Sequence, residues 1–144
     1  MQDDLRQPVT LVATSVFDKF GGVQTYMRLL IRALARSGRL QAVYSYHDDP
    51  DDPTGRAWSE RLEFDFYGAG ASRARFVGDI LGGDWRSQVG LLGHLSLSPV
   101  GWMLREVTGS VAAYATVLHG EEAWERQLSL HRRTIRASDV IIST

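Results

Sequence analysis

At residues 9–14 the chain reads Val9-Thr10-Leu11-Val12-Ala13-Thr14, directly after a proline, and this short run decides the fold. The run is apolar and β-branched almost throughout, without the alternation of a half-exposed strand. Such continuous runs are typical of strands that are buried on both faces of a parallel sheet. We therefore expect residues 9–14 to form the first and central strand of an α/β domain.

Further helix and strand patterns alternate along the rest of the chain. Apolar residues recur at helical spacing over Val23–Ser37 and Ser72–Leu81, after Pro99, and over Glu121–Ala137. The other strand-like runs are Leu40–Tyr46, Leu62–Tyr67, Val89–Leu95, Ala112–Leu118 and a last one from Val140. Turn formers and acids between them predict an exposed loop over His47–Pro53. The alternation predicts a Rossmann-like, doubly wound, mainly parallel sheet.

Composition excludes several classes of protein. The 144 residues include 16 basic and 17 acidic side chains, a net charge of -1 and no cysteine. The absence of cysteine excludes a disulfide scaffold and a Cys-zinc site, and the near-neutral charge argues against a nucleic-acid partner. No apolar run approaches the roughly 20 residues of a membrane span, and Asp3 and Asp4 stand where a secretory signal carries positive charge. We expect a cytoplasmic protein.

The first candidate binding loop is Phe20-Gly21-Gly22, which directly precedes the first helix. Ligands of parallel sheets bind outside the carboxyl ends of the strands, where this loop lies. Two residues without Cβ allow close approach to the backbone, and the free amides of a helix start suit a phosphate. The alternative is a tight strand-to-helix turn, and neither G-x-G-x-x-G nor G-x-x-x-x-G-K-[ST] is present.

Two later strand ends also carry polar side chains. Ser96 and His94 follow the run at Val89, and His119 ends the run at Ala112. Glu121 and Glu122 then open a helix that includes Trp124. Histidine is the side chain most easily tuned near neutral pH. The structural alternatives are a histidine bonded inside the sheet, glutamates that complement the helix dipole, and a tryptophan in the core.

Two further patterns are weaker. Asp49-Pro50-Asp51 matches a D-x-D metal pattern but lies in an acidic, proline-containing turn, so we expect no metal there. A basic helix face made of Arg126, His131, Arg132, Arg133 and Arg136 is compatible with peripheral contact with anionic membrane lipids. A solvated helix face explains the same charges equally well.

Three stretches together resemble the N-terminal domain of family 4 glycosyltransferases, which have the GT-B fold. They are Phe20-Gly21-Gly22-Val23-Gln24-Thr25-Tyr26, then Leu118-His119-Gly120-Glu121-Glu122-Ala123-Trp124, and Arg136–Ser143, and the stretch Gly93-His94-Leu95-Ser96-Leu97 between the first two agrees with the same family. The second is similar to that family's H-G-x-E-x-W segment, and the third to its A-D-x-[VI]-x-x-x-S strand. Ser138 stands where the family often has alanine, Glu121 fills a position that the family leaves free, and residues 48–86 match no motif of it.

The resemblance implies a retaining transfer of a sugar from a nucleotide-sugar donor to a glycan, lipid or small-molecule acceptor. Residues 1–144 would be the N-terminal, acceptor-side domain, and a C-terminal donor-binding domain of the same enzyme would complete the cleft. Gly21 and Gly22 would approach the donor diphosphate. The catalytic residues would be His119 and Glu122: His119 would hold the transferred sugar and help to stabilise charge as the bond to phosphate breaks, and Glu122 would orient nearby groups. His94 and Ser96 would lie on the acceptor side. No metal and no cofactor beyond the donor is implied.

The alternative from another class is a self-contained α/β ligand-binding or signalling module without catalysis. A receiver-like domain of this kind needs an acidic cluster after its first strand. Here Ser15 and Val16 follow that strand, and Asp18 is the one acid nearby.

Overall fold

The computed structural model describes residues 7–85, 89–120 and 129–144. Its strands are β1 (Val9–Ala13), β2 (Leu40–Ser45), β3 (Asp65–Gly68), β4 (Val89–Leu92), β5 (Ala113–Leu118) and β6 (Val140–Ser143). They form one sheet in the order β3-β2-β1-β4-β5-β6, and every neighbouring pair is parallel. The expected Rossmann-like α/β architecture is confirmed, with β1 inside the sheet.

Helices connect successive strands, as parallel pairing requires. They are α1 (Gly22–Arg36), α2 (Pro53–Leu62), α3 (Arg73–Gly82), α4 (Ser98–Trp102) and α5 (Ser129–Arg136). A 3₁₀ turn at Leu95–Leu97 precedes α4, and a π-helical turn at Met103–Val107 follows it. None of the described helices is long and apolar enough to cross a bilayer.

The core lies on both faces of the sheet because side chains alternate along a strand. Leu11 of β1 belongs to a cluster that includes Met27 and Ile31 of α1. Val12, the next residue, belongs to a second cluster that includes Ile80 of α3. These residues are almost fully shielded from solvent. Burial of β1 on both faces is the reason that its sequence lacks polar alternation.

The region between β2 and β3 differs from the sequence-based expectation. A helix, α2, occupies Pro53–Leu62, and β3 begins only at Asp65, so the predicted strand from Leu62 was wrong at its start. Asp52 caps the helix by accepting a 2.7 Å hydrogen bond from the Gly55 amide. An N-cap aspartate followed by proline is a recognised helix start, which the turn-like composition concealed.

The prediction of an exposed loop over His47–Pro53 was wrong at Asp48. Asp48 is fully buried, and its carboxylate bonds to the backbone of the β1–α1 loop. The strand predicted to reach Leu95 ends at Leu92 because His94 starts a 3₁₀ turn. Of the helix predicted over Glu121–Ala137, Ser129–Arg136 is helical, and residues 121–128 lie outside the described residues.

Gly101 allows α4 to pack closely on the sheet. A Cβ there would lie 2.5 Å from Leu92 Cδ1 and 2.6 Å from Tyr114 Cδ2. We therefore expect Gly101→Ala to lower the free energy of unfolding by about 1–3 kcal/mol. Gly78→Ala in α3 is the matched control, since no atom in the described part of the chain lies within 4 Å of its Cβ position. The control should stabilise the helix by up to about 1 kcal/mol. Thermal denaturation tests the opposite signs, and equal melting temperatures would contradict the packing.

Candidate functional site

The candidate site lies where the order of the strands reverses. The chain runs outward from β1 to β2 and β3, then returns to the other side of β1 to form β4, β5 and β6. The loops that follow β1 and β4 therefore leave in opposite directions and open a crevice at the carboxyl edge, where such sheets bind ligands. Gly21, Gly22 and His94 belong to the segments that flank this crevice.

The start of α1 is exposed at both glycines, but the Gln24 side chain lies over Gly21, with Oε1 2.6 Å from the position of a Cβ there. Gly21 precedes the helix in an extended conformation, no side chain caps the helix start, and both glycines are exposed. The first helical hydrogen bond runs from the Thr25 amide to the Gly21 carbonyl, at 2.9 Å. The amides immediately before Thr25 therefore have no acceptor within the helix. Among the described residues, none has an atom within 4 Å of a Cβ at Gly22, so a ligand could approach closely.

Phe20 stands beside the two glycines and is 93% exposed. The Arg28 guanidinium lies 5.1 Å from the centroid of its ring. The two side chains therefore form a cation–π contact at the surface. A phenylalanine ring is seldom this exposed to solvent. The candidate phosphate-binding turn therefore has an aromatic neighbour.

Gly93 joins three strand ends. Its amide donates to the Val12 carbonyl of β1 at 2.8 Å, and its own carbonyl accepts from His119 Nε2, 2.9 Å away, at the end of β5. A Cβ at Gly93 would lie 2.5 Å from Met27 Sδ. Only glycine at this position lets α1 pack over the end of β4 without displacing Met27.

His119 is positioned by neighbours from three elements. Because the Gly93 carbonyl can only accept, Nε2 carries a proton in the neutral ring. The Tyr26 ring meets the imidazole edge to face at a centroid distance of 5.9 Å, and Thr144 Oγ1 lies 3.2 Å from Nδ1. The ring of His94 is 6.2 Å away, centroid to centroid. The structure thus brings His119, His94 and Tyr26 together at the carboxyl edge.

The two residues predicted for the acceptor side contact each other. His94 Nδ1 accepts a 3.1 Å hydrogen bond from the Ser96 amide and lies 2.8 Å from Ser96 Oγ. Ser96 is exposed, and His94 is partly exposed. Their shared turn therefore presents a hydroxyl and an imidazole beside the crevice.

The other predicted residues have separate outcomes. Glu122, with Glu121 and Trp124, lies outside the described residues. In the D-x-D turn, Asp49 accepts from the Asp51 amide, and Asp51 pairs with Arg56. Within residues 7–85, 89–120 and 129–144, no group of three or more His, Asp or Glu could hold a metal ion.

The basic residues of α5 line a concave surface. Ser129, Arg132, Arg133 and Arg136 enclose a volume of about 400 Å³. The helix is fixed from its opposite side, where Thr134 Oγ1 lies 2.7 Å from Ser98 Oγ of α4. Of the residues in the predicted basic face, Arg132, Arg133 and Arg136 therefore lie together on one surface of α5.

Sequence reasoning missed three residues that shape the site. Tyr26 was part of the family-like stretch but had no assigned role, and Arg28 and Asp48 had none either. Arg28 Nε donates to the Val16 carbonyl at 2.9 Å. One local indication pointed to Asp48: this acidic residue follows the end of β2 by three positions, and β2 pairs with β1.

Comparisons with protein-family models, with curated proteins and with solved structures find no match. The resemblance to family 4 glycosyltransferases therefore depends on the motifs at Gly21, His119 and Asp139 themselves.

The hydrogen bonds of the two histidines predict their tautomers. His119 donates from Nε2 to a carbonyl, and His94 accepts at Nδ1 from an amide. Both neutral rings should therefore carry the proton on Nε2. Long-range ¹⁵N–¹H correlation spectra of the imidazoles above their titration range test this. A neutral Nδ1–H form of His119 would contradict the contact with Gly93.

Proposed function

We propose that the chain is the N-terminal, acceptor-side domain of a retaining glycosyltransferase of the GT-B type. It would take part in transfer of a sugar from a nucleotide-sugar donor to a glycan, lipid or small-molecule acceptor. A second domain of the same enzyme would supply most contacts with the nucleotide.

One observation carries the proposal: residues singled out by the family-like motifs meet at the switch point of the sheet. His119 and His94 have ring centroids 6.2 Å apart, and Tyr26, which contacts His119, lies one helical turn after Gly22. Residues that follow parallel strands all lie at this edge of the sheet, but strand topology alone does not require His119 to contact both His94 and Tyr26 there.

The amides at Gly21 and Gly22 would face the donor diphosphate. When the bond between the anomeric carbon and the phosphate oxygen breaks, negative charge grows on the departing diphosphate. Preorganised amides at a helix start stabilise such charge without reorganising. The new bond joins the anomeric carbon to an acceptor oxygen, whose proton passes to the departing diphosphate.

His119 would position the transferred sugar. Its Nε2 proton is engaged by the Gly93 carbonyl, and Nδ1 lies 3.2 Å from Thr144 Oγ1, so a sugar hydroxyl would bind Nδ1 in place of the Thr144 hydroxyl. His94 and Ser96 would contact the acceptor from the neighbouring loop, and Glu122 keeps the orienting role that the resemblance implies. Holding two reactants in one geometry lowers the entropic part of the barrier.

The competing signalling module is less well supported by the first loop. Asp18 accepts from Ser15 Oγ, and Asp48 is engaged by backbone amides. The acids nearest the end of β1 are therefore used in the loop itself, whereas a receiver-like pocket needs carboxylates that can hold a metal.

Binding by the isolated chain tests the division of labour between two domains. We expect residues 1–144 to transfer no sugar and to bind nucleotide sugars weakly, because one wall of a cleft cannot exclude water or enclose the donor. Titration calorimetry with a panel of common nucleotide sugars measures this. A dissociation constant of about 1 μM or tighter, near -8.2 kcal/mol, would place the nucleotide site within this chain and contradict the division.

A side chain at Gly22 should obstruct the phosphate and spare the fold. Its Cβ position is open, since no atom of the described residues lies within 4 Å of it. Gly78→Val, also at an open helical position, is the matched control. In the two-domain enzyme we expect a higher donor KM or no turnover for G22V alone, with circular dichroism spectra unchanged. Equal kinetics in both variants would reduce the glycine pair to a turn.

A further inference from the structure

The loop between β1 and α1 is held by a buried carboxylate from outside the loop. Asp48 accepts hydrogen bonds from three successive amides, those of Val16, Phe17 and Asp18, at 2.7, 2.8 and 2.6 Å. Ser45 Oγ is a fourth donor to the same carboxylate, which is fully shielded from solvent. Successive amides that converge on one anion form the kind of concavity that binds phosphate in other loops. Here the chain's own carboxylate fills it.

The carbonyls of the same loop are held from the opposite side by Arg28. Its Nε donates to the Val16 carbonyl at 2.9 Å, and its Nη2 lies 3.2 Å from the Lys19 carbonyl and 3.5 Å from that of Phe17. Arg28 belongs to α1, the helix that the loop enters. The Asp48 carboxylate therefore accepts hydrogen bonds from amides of the loop, and the Arg28 guanidinium donates hydrogen bonds to its carbonyls. Bonds to charged groups are roughly twice as strong as neutral ones, so the pair fixes one loop conformation.

Asp48 is itself held in place by the neighbouring strand. A Cβ at Gly68 of β3 would lie 2.6 Å from the Asp48 carbonyl oxygen and 2.5 Å from that of Asp49. The backbone of residues 48–49 thus lies directly against β3. The position of the carboxylate is set by the sheet and not by the loop that it organises.

We propose that Asp48 is a positioning residue for the candidate phosphate-binding turn at Gly21 and Gly22, with Arg28 as its counterpart on the carbonyl side. The inference rests on the proposed function and goes beyond it, because neither residue touches the turn. The amides of residues 16–18 are engaged by Asp48, so a phosphate bound at this loop has to use amides that follow Asp18, such as those of Gly21 and Gly22. Asp48 thereby also restricts where the phosphate can lie.

The test uses ¹⁵N-labelled chain and inorganic pyrophosphate, the group common to nucleoside-diphosphate sugars. Asp48→Asn keeps the size of the side chain but replaces an acceptor oxygen with a donor among N–H groups. We expect D48N to lose hydrogen-exchange protection at residues 16–18. It should also bind pyrophosphate about tenfold more weakly, as followed at the Gly21 and Gly22 amides.

Two controls separate positioning from a general loss of stability. Asp49→Asn makes the same change at the exposed neighbour and should leave the affinity for pyrophosphate unchanged. Gly101→Ala destabilises the fold at α4 and should also leave it unchanged. Weaker binding by G101A than by D48N would show that affinity follows stability, which overturns the proposal.

Each remaining outcome is decisive. A folded D48N with wild-type affinity overturns the positioning role and leaves the proposed function standing. A wild-type chain whose Gly21 and Gly22 amides do not respond to pyrophosphate overturns the phosphate site, and the positioning role with it. If D48N does not fold, Arg28→Met and Ser45→Ala loosen the same loop from either side. Weaker binding in both supports the proposal, and wild-type affinity in both overturns it.

Discussion

The structure depends on the hydrogen bonding of β1 along both of its edges. Residues 9–13 pair with β2 on one side, and residues 9–12 pair with β4 on the other. With both edges occupied, later strands can join only at the outside, and the chain has to cross from one side of β1 to the other. The reversal between β1 and β4 is a consequence of this crossing, and so is the crevice at their carboxyl ends.

The packing of the core sets the geometry of the candidate site. Met27 of α1 is fully buried and lies against Gly93. The Gly93 carbonyl in turn accepts a hydrogen bond from His119. The imidazole is therefore tied to the packing of α1 on the sheet through one glycine. A catalytic or binding group that is fixed in this way needs little reorganisation when a ligand arrives, which is the main requirement for electrostatic stabilisation.

The parts of the fold that sequence predicts are those whose signal is local. Val9–Ala13 and Val89–Leu92 are short apolar runs because both faces of a parallel strand are covered, and α1 shows its apolar stripe. Helix α2 was not predicted, because it begins at Asp52 and Pro53, which are residue types typical of turns.

The candidate site divides in the same way. Glycines before a helix and histidines at strand ends can be recognised from their neighbours in the chain. Asp48 cannot, because its burial depends on amides about thirty residues away, and no local pattern indicates that one acid of an acidic, proline-containing turn is buried. The contact between Tyr26 and His119 joins residues even further apart and needed the assembled sheet.

Among the described residues, the outer strand β6 leaves one edge unpaired and exposes two apolar side chains. β6 pairs with β5 along one edge, and Val140 and Ile141 are 54% and 49% exposed. A free strand edge with apolar side chains is a template for another strand, and natural proteins usually protect it with charge, proline or a covering segment. The opposite edge, β3, carries the exposed Asp65. Aggregation at high concentration should therefore proceed by growth of the sheet from β6, and a lysine in place of Ile141 would be the first change to make when preparing soluble material.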